Sequence, residues 1–524
     1  MKVLISDKLP DVAVDILKSY SEIEVDNKPG LSHDELAAAI GGYEGIIIRS
    51  GSKLTADIIE KADRLKVIAR AGVGVDNVDV HAASRKGVIV MNTPGGNTIS
   101  TAELTFGMLL ALTRNIPAAC ASIKGGAWDR KSFVGSQLAG KTLGIVGLGR
   151  IGREVAKRAL AFEMTVVAYD PFVTQEKAQA IELVDLDGIW SRSDYITLHT
   201  PVNDETRGLI GSAQLAKMKD GVRIINCARG AIIDENAVAD AIEAGKIAGA
   251  AVDVYPEEPP ANRRLIDLPQ VVATPHLGAS TEEAQINVAT DAARQLADAL
   301  TGRGIRFAIN LPAFDAAEAK ALEPYCDLAE KMGSVLRQMG DGQLKGVDIC
   351  YTGDLATANV MPVTRSLIAG LLRPLISENV NLVNAPVLAQ ERGISVTESR
   401  SSATGDFTTT IKVRMNTDRG DVDIEGTLFG RRDPRIVSIN GSHVDVIPRG
   451  SLLVVLNLDR PGLIGDIGRI MGKADVNISS MTFGRKEAGG DAMTVLNLDA
   501  APGPDLLAEV GKVPNVTVLK VIKL

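Results

Sequence analysis

The sequence predicts an α/β protein with two doubly wound parallel sheets, followed by an α+β segment and a small ferredoxin-like unit. Three observations lead to this prediction. Short apolar runs alternate with helix-period segments from Met1 to Leu300, a pattern typical of parallel sheets covered by helices. A glycine-rich turn, Gly147–Gly152, joins one of these predicted strands to a helix. The last segment, Ser451–Leu524, has the order strand, helix, strand, strand, helix, strand.

Length and composition limit the class of protein. The 524 residues are enough for about three or four domains, and the net charge of −8 argues against nonspecific nucleic-acid binding. No apolar stretch approaches the ~18 residues of a membrane span, and the first apolar run is too short for a signal peptide. The four cysteines are widely spaced, which favours free thiols. We therefore expect a cytoplasmic protein that binds neither nucleic acid nor membrane.

The first segment alternates five short strands with helices. The predicted strands are Val3–Ser6, Ile23–Val25, Gly45–Ile48, Val67–Ala69 and Val88–Met91, and the predicted helices are Asp11–Ser19, His33–Ile40, Ala56–Ala62 and Ile99–Arg114. In a doubly wound sheet, ligands bind beyond the carboxyl ends of the strands. Those ends carry Arg49-Ser50-Gly51, Arg70–Gly74 and Asn92–Asn97, whose guanidinium and amide groups suit an anion. The other interpretation is that these are ordinary turns with solvated arginines.

The stretch Thr142–Asp170 predicts a dinucleotide site. An apolar strand ends in Gly147-Leu148-Gly149-Arg150-Ile151-Gly152, a helix follows, and a second strand ends in Asp170. In such a unit Gly147 allows the tight turn, Gly149 admits a pyrophosphate, and Gly152 lets the helix pack on the strand. Asp170 would accept hydrogen bonds from ribose hydroxyls and repel a 2′-phosphate, which favours NAD over NADP. The alternative is a βαβ turn without a ligand.

Three later strands are each followed by a residue suited to hydride-transfer chemistry. The predicted strands Val222–Asn226, Gly249–Val254 and Val271–Ala273 precede Arg229, Glu258 and His276. Oxidation of a 2-hydroxy acid needs a base for the hydroxyl proton, and a histidine suits that transfer at neutral pH. A carboxylate would orient the imidazole, and an arginine would hold the substrate carboxylate bidentately. Each residue alone also has a structural explanation, and His199, which follows the strand Tyr195–Leu198, is a rival base.

The segments GLGRIG, HTP, NCARG, VDVYPEEPP and TPHLGAST resemble the D-isomer-specific 2-hydroxyacid dehydrogenases, and the resemblance runs along the whole chain. It implies that Arg229, Glu258 and His276 are catalytic and that NAD is the cofactor, with no metal. It implies further NAD contacts from Arg150, Ile151, Asp170, Thr200, Cys227, Ala228, Arg229, Asp253, His276 and Gly278. The implied substrate contacts are Arg49, Ser50, Arg70, Asn97, Trp128, Arg130 and Lys131, of which the last three lie on a loop that resembles an arm crossing a dimer interface.

The carboxyl-terminal segment resembles an ACT domain, on the strength of its DRPG turn at Asp459–Gly462 and of Asp475-Val476-Asn477-Ile478. The combined resemblance implies oxidation of 3-phospho-D-glycerate to 3-phosphooxypyruvate by a homotetramer, with L-serine as an effector bound at Asn457, Asp459 and Asn477. One alternative is another D-2-hydroxyacid dehydrogenase, such as a glyoxylate or hydroxypyruvate reductase. A second is a noncatalytic nucleotide-sensing corepressor on the same fold.

The family resemblance, applied to these segments, implies four domains and returns residues 286–311 to the first of them. Residues 1–98 and 286–311 would form a discontinuous substrate-binding domain, and residues 99–285 a Rossmann domain that binds NAD. Residues 312–449 would form an intervening domain, and residues 450–524 the ACT domain. Within the intervening domain we predict a linker at Pro312–Pro324, helices at Tyr325–Met339 and Thr364–Leu372, and strands at Thr408–Met415, Val422–Phe429 and Ile436–Ile439.

Overall fold

The computed structural model describes residues 1–178, 181–311, 316–377, 379–403, 405–430, 432–485 and 487–524. Its strands form two parallel sheets, one mixed sheet and one antiparallel sheet, in this order along the chain. The predicted class is therefore confirmed: two parallel α/β units precede an α+β unit and a ferredoxin-like unit. The start of the predicted linker, at residues 312–315, lies outside the described residues.

The first sheet has five parallel strands in the order β2-β1-β3-β4-β5, with helices packed on its faces. Burial on both faces explains why the inner strands β1, β3 and β4 are nearly all apolar, whereas the edge strand β2 is mostly polar and partly exposed. The apolar pattern does not predict α4, a polar helix whose signals are the cap Asp79 and a left-handed Gly87 at its end. The elements are β1 (Lys2–Ile5), α1 (Val12–Lys18), β2 (Glu24–Asn27), α2 (His33–Ala39), β3 (Gly45–Ile48), α3 (Ala56–Glu60), β4 (Val67–Arg70), α4 (Val80–Lys86) and β5 (Ile89–Met91).

The second sheet has seven parallel strands in the order β12-β11-β10-β9-β6-β7-β8. The strand order reverses between β6 and β9, and a crevice at such a reversal is where doubly wound folds bind nucleotides. The elements are α5 (Thr98–Thr113), α6 (Ile116–Lys124), β6 (Thr142–Val146), α7 (Arg150–Ala161), β7 (Thr165–Tyr169), α8 (Gln175–Ala178), β8 (Glu182–Leu183), α9 (Leu186–Arg192), β9 (Tyr195–Leu198), α10 (Ser212–Lys217), β10 (Val222–Asn226), α11 (Glu235–Glu243), β11 (Ile247–Val252) and β12 (Val271–Ala273).

The chain returns to the first sheet through α12 (Glu282–Leu300), whose alanines and Leu296 pack in one core with Val3 and Ile5. The chain therefore crosses between the two sheets twice, before α5 and before α12. The two crossings touch, because the hydroxyls of Ser100 and Thr101 donate to the Gly278 carbonyl at 2.9 and 3.0 Å.

The third sheet is mixed, in the order β14-β13-β15-β16-β17-β18, and it shares a core with three helices. The first helix begins at Ala316, before the predicted start at Tyr325, and contains Pro324 because Leu322 and Leu328 bury into that core. The elements are α13 (Ala316–Met339), β13 (Leu344–Thr352), α14 (Met361–Leu372), α15 (Ala385–Glu391), β14 (Ser395–Ser401), β15 (Ile411–Thr417), β16 (Val422–Phe429), β17 (Asp433–Ile439) and β18 (Ser442–Val446).

The fourth sheet is antiparallel, in the order β20-β21-β19-β22, with two helices on one face. Its first helix is amphipathic: Leu463, Ile467 and Met471 recur every four residues and are buried against the sheet. The elements are β19 (Ser451–Leu458), α16 (Leu463–Lys473), β20 (Ile478–Arg485), β21 (Asp491–Leu498), α17 (Pro504–Val510) and β22 (Val516–Lys523).

Within the described ranges, no single helix is long and apolar enough to cross a membrane. The pair α5 and α6 reaches that length and composition only when both helices are counted across a 64° bend.

Candidate active site

The three glycines of the turn after β6 lie in different surroundings. Gly147 has a φ of +97°, which L side chains rarely adopt. A Cβ on Gly152 would stand 2.1 Å from the Gly147 carbonyl oxygen, so only glycine lets α7 approach the turn this closely. Around Gly149, by contrast, no protein atom lies within 4 Å of where a Cβ would stand. The turn thus leaves open space at the amino end of α7, as a bound pyrophosphate requires.

Asp170 and Thr200 flank this turn with free acceptor capacity. The carboxylate oxygens of Asp170 accept the Leu148 and Phe172 N–H groups at 2.8 and 2.9 Å, and each keeps a lone pair for a ribose hydroxyl. The buried Thr200 hydroxyl has no partner among the described residues. An unpaired buried hydroxyl beside the turn fits a dinucleotide that would supply the missing hydrogen bond.

Two of the other expected NAD contacts have side chains engaged inside the protein. The Cys227 thiol lies 3.5 Å from the Met108 sulfur in the core, and burial raises its pKa to about 12. Asp253 is fully buried and accepts the Leu277 and Gly278 N–H groups and the Thr274 hydroxyl, so it holds the His276 loop. The other expected contacts, Arg150, Ile151 and Ala228, are exposed or half-buried around the turn and at the end of β10.

Arg229, Glu258 and His276 follow three neighbouring strands and lie at one edge of the sheet. His276 Nδ1 is 2.7 Å from Glu258 Oε2, and the other Glu258 oxygen accepts the Tyr255 N–H at 3.2 Å. The imidazole therefore donates from Nδ1 to the carboxylate, and Nε2 has no hydrogen-bond partner among the described residues. Buried Asn226 bonds both the Arg229 carbonyl and the Ala228 N–H, which fixes the turn that presents Arg229.

Arg49 after β3 and Arg70 at the end of β4 place cations across the cleft from this cluster, and the loop after β5 adds uncharged polar groups. Arg70 is partly buried, and burial, together with repulsion from Arg229 and Arg49, lowers its pKa to about 10. The Asp7 carboxylate accepts the Arg49 and Ser52 N–H groups, which fixes the loop that also carries exposed Ser50. The unpaired buried atoms of the described residues include Arg70 Nε, Thr93 Oγ1, Asn97 Oδ1 and Thr98 Oγ1. The unpaired donors among these atoms, Arg70 Nε and the two threonine hydroxyls, lie near Arg49 and Arg229 and fit an anionic ligand.

The Trp128, Arg130 and Lys131 loop is exposed, with the Asp129 carboxylate accepting the Lys131 and Ser132 N–H groups. Among the described residues, no hydrogen bond or ion pair joins this loop to the cleft of the same chain. The structure therefore does not bring these three predicted contacts together with the others within one subunit.

Of the three expected effector residues of the fourth sheet, one lines a cavity and two do not. Asp459 lines a cavity of about 360 Å³ with Arg460 and Arg485, and its carboxylate accepts from Arg485 at 2.7 Å. Asn457 is buried, where it bonds Thr494, and Asn477 donates to Asp499 at 2.7 Å. Neither asparagine lines that cavity.

Two carboxylates that position this site were not singled out by sequence reasoning. Asp7 holds the Arg49 loop, and Asp76 accepts from Arg229 Nε at 3.1 Å. The only sequence signal for these two carboxylates was their position: Asp7 follows β1, and Asp76 follows the Gly72-Val73-Gly74 turn.

Comparison with known proteins identifies the class to which the chain belongs. The family model for the NAD binding domain of D-isomer specific 2-hydroxyacid dehydrogenases matches residues 106–278. A crystal structure of a glyoxylate reductase from Paecilomyes thermophila is 29% identical and has a TM-score of 0.56, covering 59% of this chain and 98% of that one. The apo-structure of D-lactate dehydrogenase from Escherichia coli is 28% identical, with a TM-score of 0.52, covering 59% of this chain and all of that one. The fold and site thus define a D-2-hydroxyacid dehydrogenase that binds NAD.

The remaining matches identify the branch of this class. The D-3-phosphoglycerate dehydrogenase intervening domain matches residues 321–440, and the ACT domain matches residues 451–515. D-3-phosphoglycerate dehydrogenase of Methanocaldococcus jannaschii is 44% identical over the full length of both chains. That of Synechocystis sp. is 45% identical over all of this chain and 95% of its own. The chain belongs to the D-3-phosphoglycerate dehydrogenase family.

Proposed function

We propose that the protein oxidises 3-phospho-D-glycerate to 3-phosphooxypyruvate with NAD, the first step of phosphorylated L-serine biosynthesis. Full-length relatives named for this activity support the substrate. The observation that carries the chemistry is the 2.7 Å contact between His276 and Glu258, opposite a loop with a partly buried arginine. The free thiols support a cytoplasmic location.

In this proposal the residues of the cleft divide binding and proton transfer among them. Arg229 holds the substrate carboxylate and stabilises negative charge on the reacting oxygen. His276 Nε2 accepts the hydroxyl proton, and Glu258 stabilises the resulting imidazolium through Nδ1. Bound NAD supplies the hydride acceptor. Its pyrophosphate would lie on Gly147, Gly149 and Gly152, and its ribose on Asp170.

We assign the phosphate end of the substrate to Arg49, Ser50, Arg70 and Asn97. Arg130 and Lys131 would reach the phosphate of a neighbouring subunit in a homotetramer, with Trp128 at the interface. The supporting observation is that Trp128 is 82% exposed and Val134 79%, a large apolar surface for a single loop. Sedimentation equilibrium of the full chain tests this assembly, and a monomer would exclude the shared site.

The proposal keeps four domains with the bounds 1–98 with 286–311, 99–285, 312–449 and 450–524. The two crossings joined at Gly278 would then be hinges, and closure about them would exclude water from hydride transfer. The ACT domain would bind L-serine as an effector. Its support is the cavity beside Asp459, whose cation and carboxylate groups match those of an amino acid.

A kinetic comparison tests the activity. The purified protein should form NADH from 3-phosphoglycerate with a higher kcat/KM than from D-glycerate or other D-2-hydroxy acids. A preference for the unphosphorylated acids would favour a glyoxylate or hydroxypyruvate reductase. His276→Ala should abolish turnover and still bind NADH, as measured by fluorescence, and retained turnover would exclude His276 as the base.

A further inference from the structure

Asp76 and Arg229 form an ion pair across the cleft. Asp76 lies on the loop after β4, on the first sheet, and Arg229 follows β10 of the second sheet. Arg229 Nε donates to Asp76 Oδ2 at 3.1 Å. In the part of the chain that the structure describes, no other ion pair links the first sheet and its helices to the second. The contact therefore couples the substrate side of the cleft to the NAD side.

The guanidinium of Arg229 is fixed at two of its three nitrogens. Nε is bound to Asp76, and Nη1 donates to the Ala228 carbonyl at 2.6 Å. Because the guanidinium is planar, two such bonds determine the direction of Nη2. A Cβ on Gly74 would lie 1.9 Å from Nη2 and 2.6 Å from Asp76 Oδ2. The bare backbone of Gly74 is therefore required for this arrangement.

The negative charge of Asp76 also acts on Arg70, which lies near Arg229. Arg70 lies close enough to Arg229 for repulsion to lower its pKa, and Asp76 opposes that effect. The Asp76 carboxylate thus offsets part of the repulsion between the two guanidinium groups. The Asp76 side chain is 73% exposed, and an exposed ion pair contributes little to folding stability. Its consequence is thus expected in substrate binding and turnover, and the variant should fold.

We propose that Asp76 is a positioning residue that orients Arg229 toward the substrate carboxylate, with Gly74 leaving the space this requires. The inference rests on the proposed role of Arg229 as the carboxylate clamp. The opposite possibility is that Asp76 competes with substrate for Arg229. The two ideas predict opposite changes when the carboxylate is removed.

The test uses Asp76→Asn in the full chain. The kcat/KM for 3-phosphoglycerate should fall about 10- to 100-fold, the range expected when a binding group is misplaced. NADH affinity should stay the same, because Asp76 touches neither the glycine turn nor Asp170. The matched control is Asp63→Asn, which removes an exposed carboxylate paired with Lys86 at 3.4 Å on the same unit. It should leave kcat/KM unchanged.

A double-mutant cycle separates positioning from a general structural effect. In an Arg229→Met background, Asp76→Asn should cause no further loss, because its effect passes through Arg229. An unchanged kcat/KM, a lower KM, or an equal loss in both backgrounds would overturn the proposal.

Oxamate binding to the NADH complex, measured by calorimetry, gives a readout without turnover. Asp76→Asn should weaken oxamate binding about tenfold or more, since oxamate carries the same carboxylate. If the wild-type protein fails to oxidise 3-phosphoglycerate but Asp76→Asn still weakens oxamate binding, the proposed substrate is wrong and the positioning role stands. Equal oxamate affinity in the two proteins would refute the positioning role whatever the substrate.

Discussion

Gly152→Ala and Gly149→Ala should separate packing from ligand binding within a single turn. The added methyl group of Gly152→Ala would stand 2.1 Å from the Gly147 carbonyl oxygen, where real Cβ contacts are longer than 3.0 Å. The turn and α7 must therefore separate by about 1 Å, and overpacking of this kind costs about 1–3 kcal/mol. For a domain of 150–250 residues, each kcal/mol lowers the Tm by about 2–4 °C.

Gly149→Ala is the matched comparison. Its added methyl group meets no protein atom within 4 Å, and the Gly149 φ of −74° suits alanine. Its Tm should equal that of the wild type. Its NADH affinity should nevertheless fall, because the methyl group would occupy the space that we assign to the pyrophosphate.

Both variants are measured by thermal unfolding without ligand and by NADH fluorescence titration. Gly152→Ala should lose both stability and affinity, whereas Gly149→Ala should lose affinity alone. If Gly149→Ala bound NADH as tightly as the wild type, the pyrophosphate would not lie over this turn. An unchanged Tm in Gly152→Ala would show that the turn relaxes freely, against the close approach described.

Three further outcomes are expected. Asp170→Asn should weaken NAD binding about tenfold through loss of charge-assisted hydrogen bonds, and equal KM values for NAD in the two proteins would contradict its ribose role. Burial lowers the pKa of His199 to about 4, so between pH 6.5 and 4 the unfolded chain binds more protons and stability falls as the pH falls. In urea unfolding, His199→Gln should reduce the loss of stability between pH 6.5 and 4 by about 1–3 kcal/mol, and the lower figure applies because His199 is partly exposed. The same dependence of unfolding free energy on pH in both proteins would refute this. Asp459→Ala should abolish L-serine inhibition and leave kcat unchanged, and a variant still inhibited normally would exclude this cavity as the effector site.

Local patterns in the sequence determined most of the secondary structure. Alternating apolar strands and amphipathic helices predict both parallel sheets, and the predicted strands Gly45–Ile48, Tyr195–Leu198 and Val222–Asn226 have the observed bounds. Such patterns work because burial on both faces of a sheet demands continuous apolar runs. They do not predict β14, because most of its residues, Ser395–Ser401, are exposed and polar. Pairing with β13 holds that strand in place, and pairing is not a local property.

The candidate site also combines features that local sequence predicts with contacts that it does not predict. The glycine turn and Asp170 follow from one continuous stretch, since a βαβ unit places them together by itself. The sequence also predicted Arg229, Glu258 and His276 as candidates, because parallel strands end at one edge. Only the tertiary structure placed Asp76 against Arg229, 153 residues apart. The return of α12 to the first sheet was expected from the family resemblance and from no local pattern. The physical reason is that a sequence pattern records which face of an element is buried, whereas packing between distant elements decides which side chains meet there.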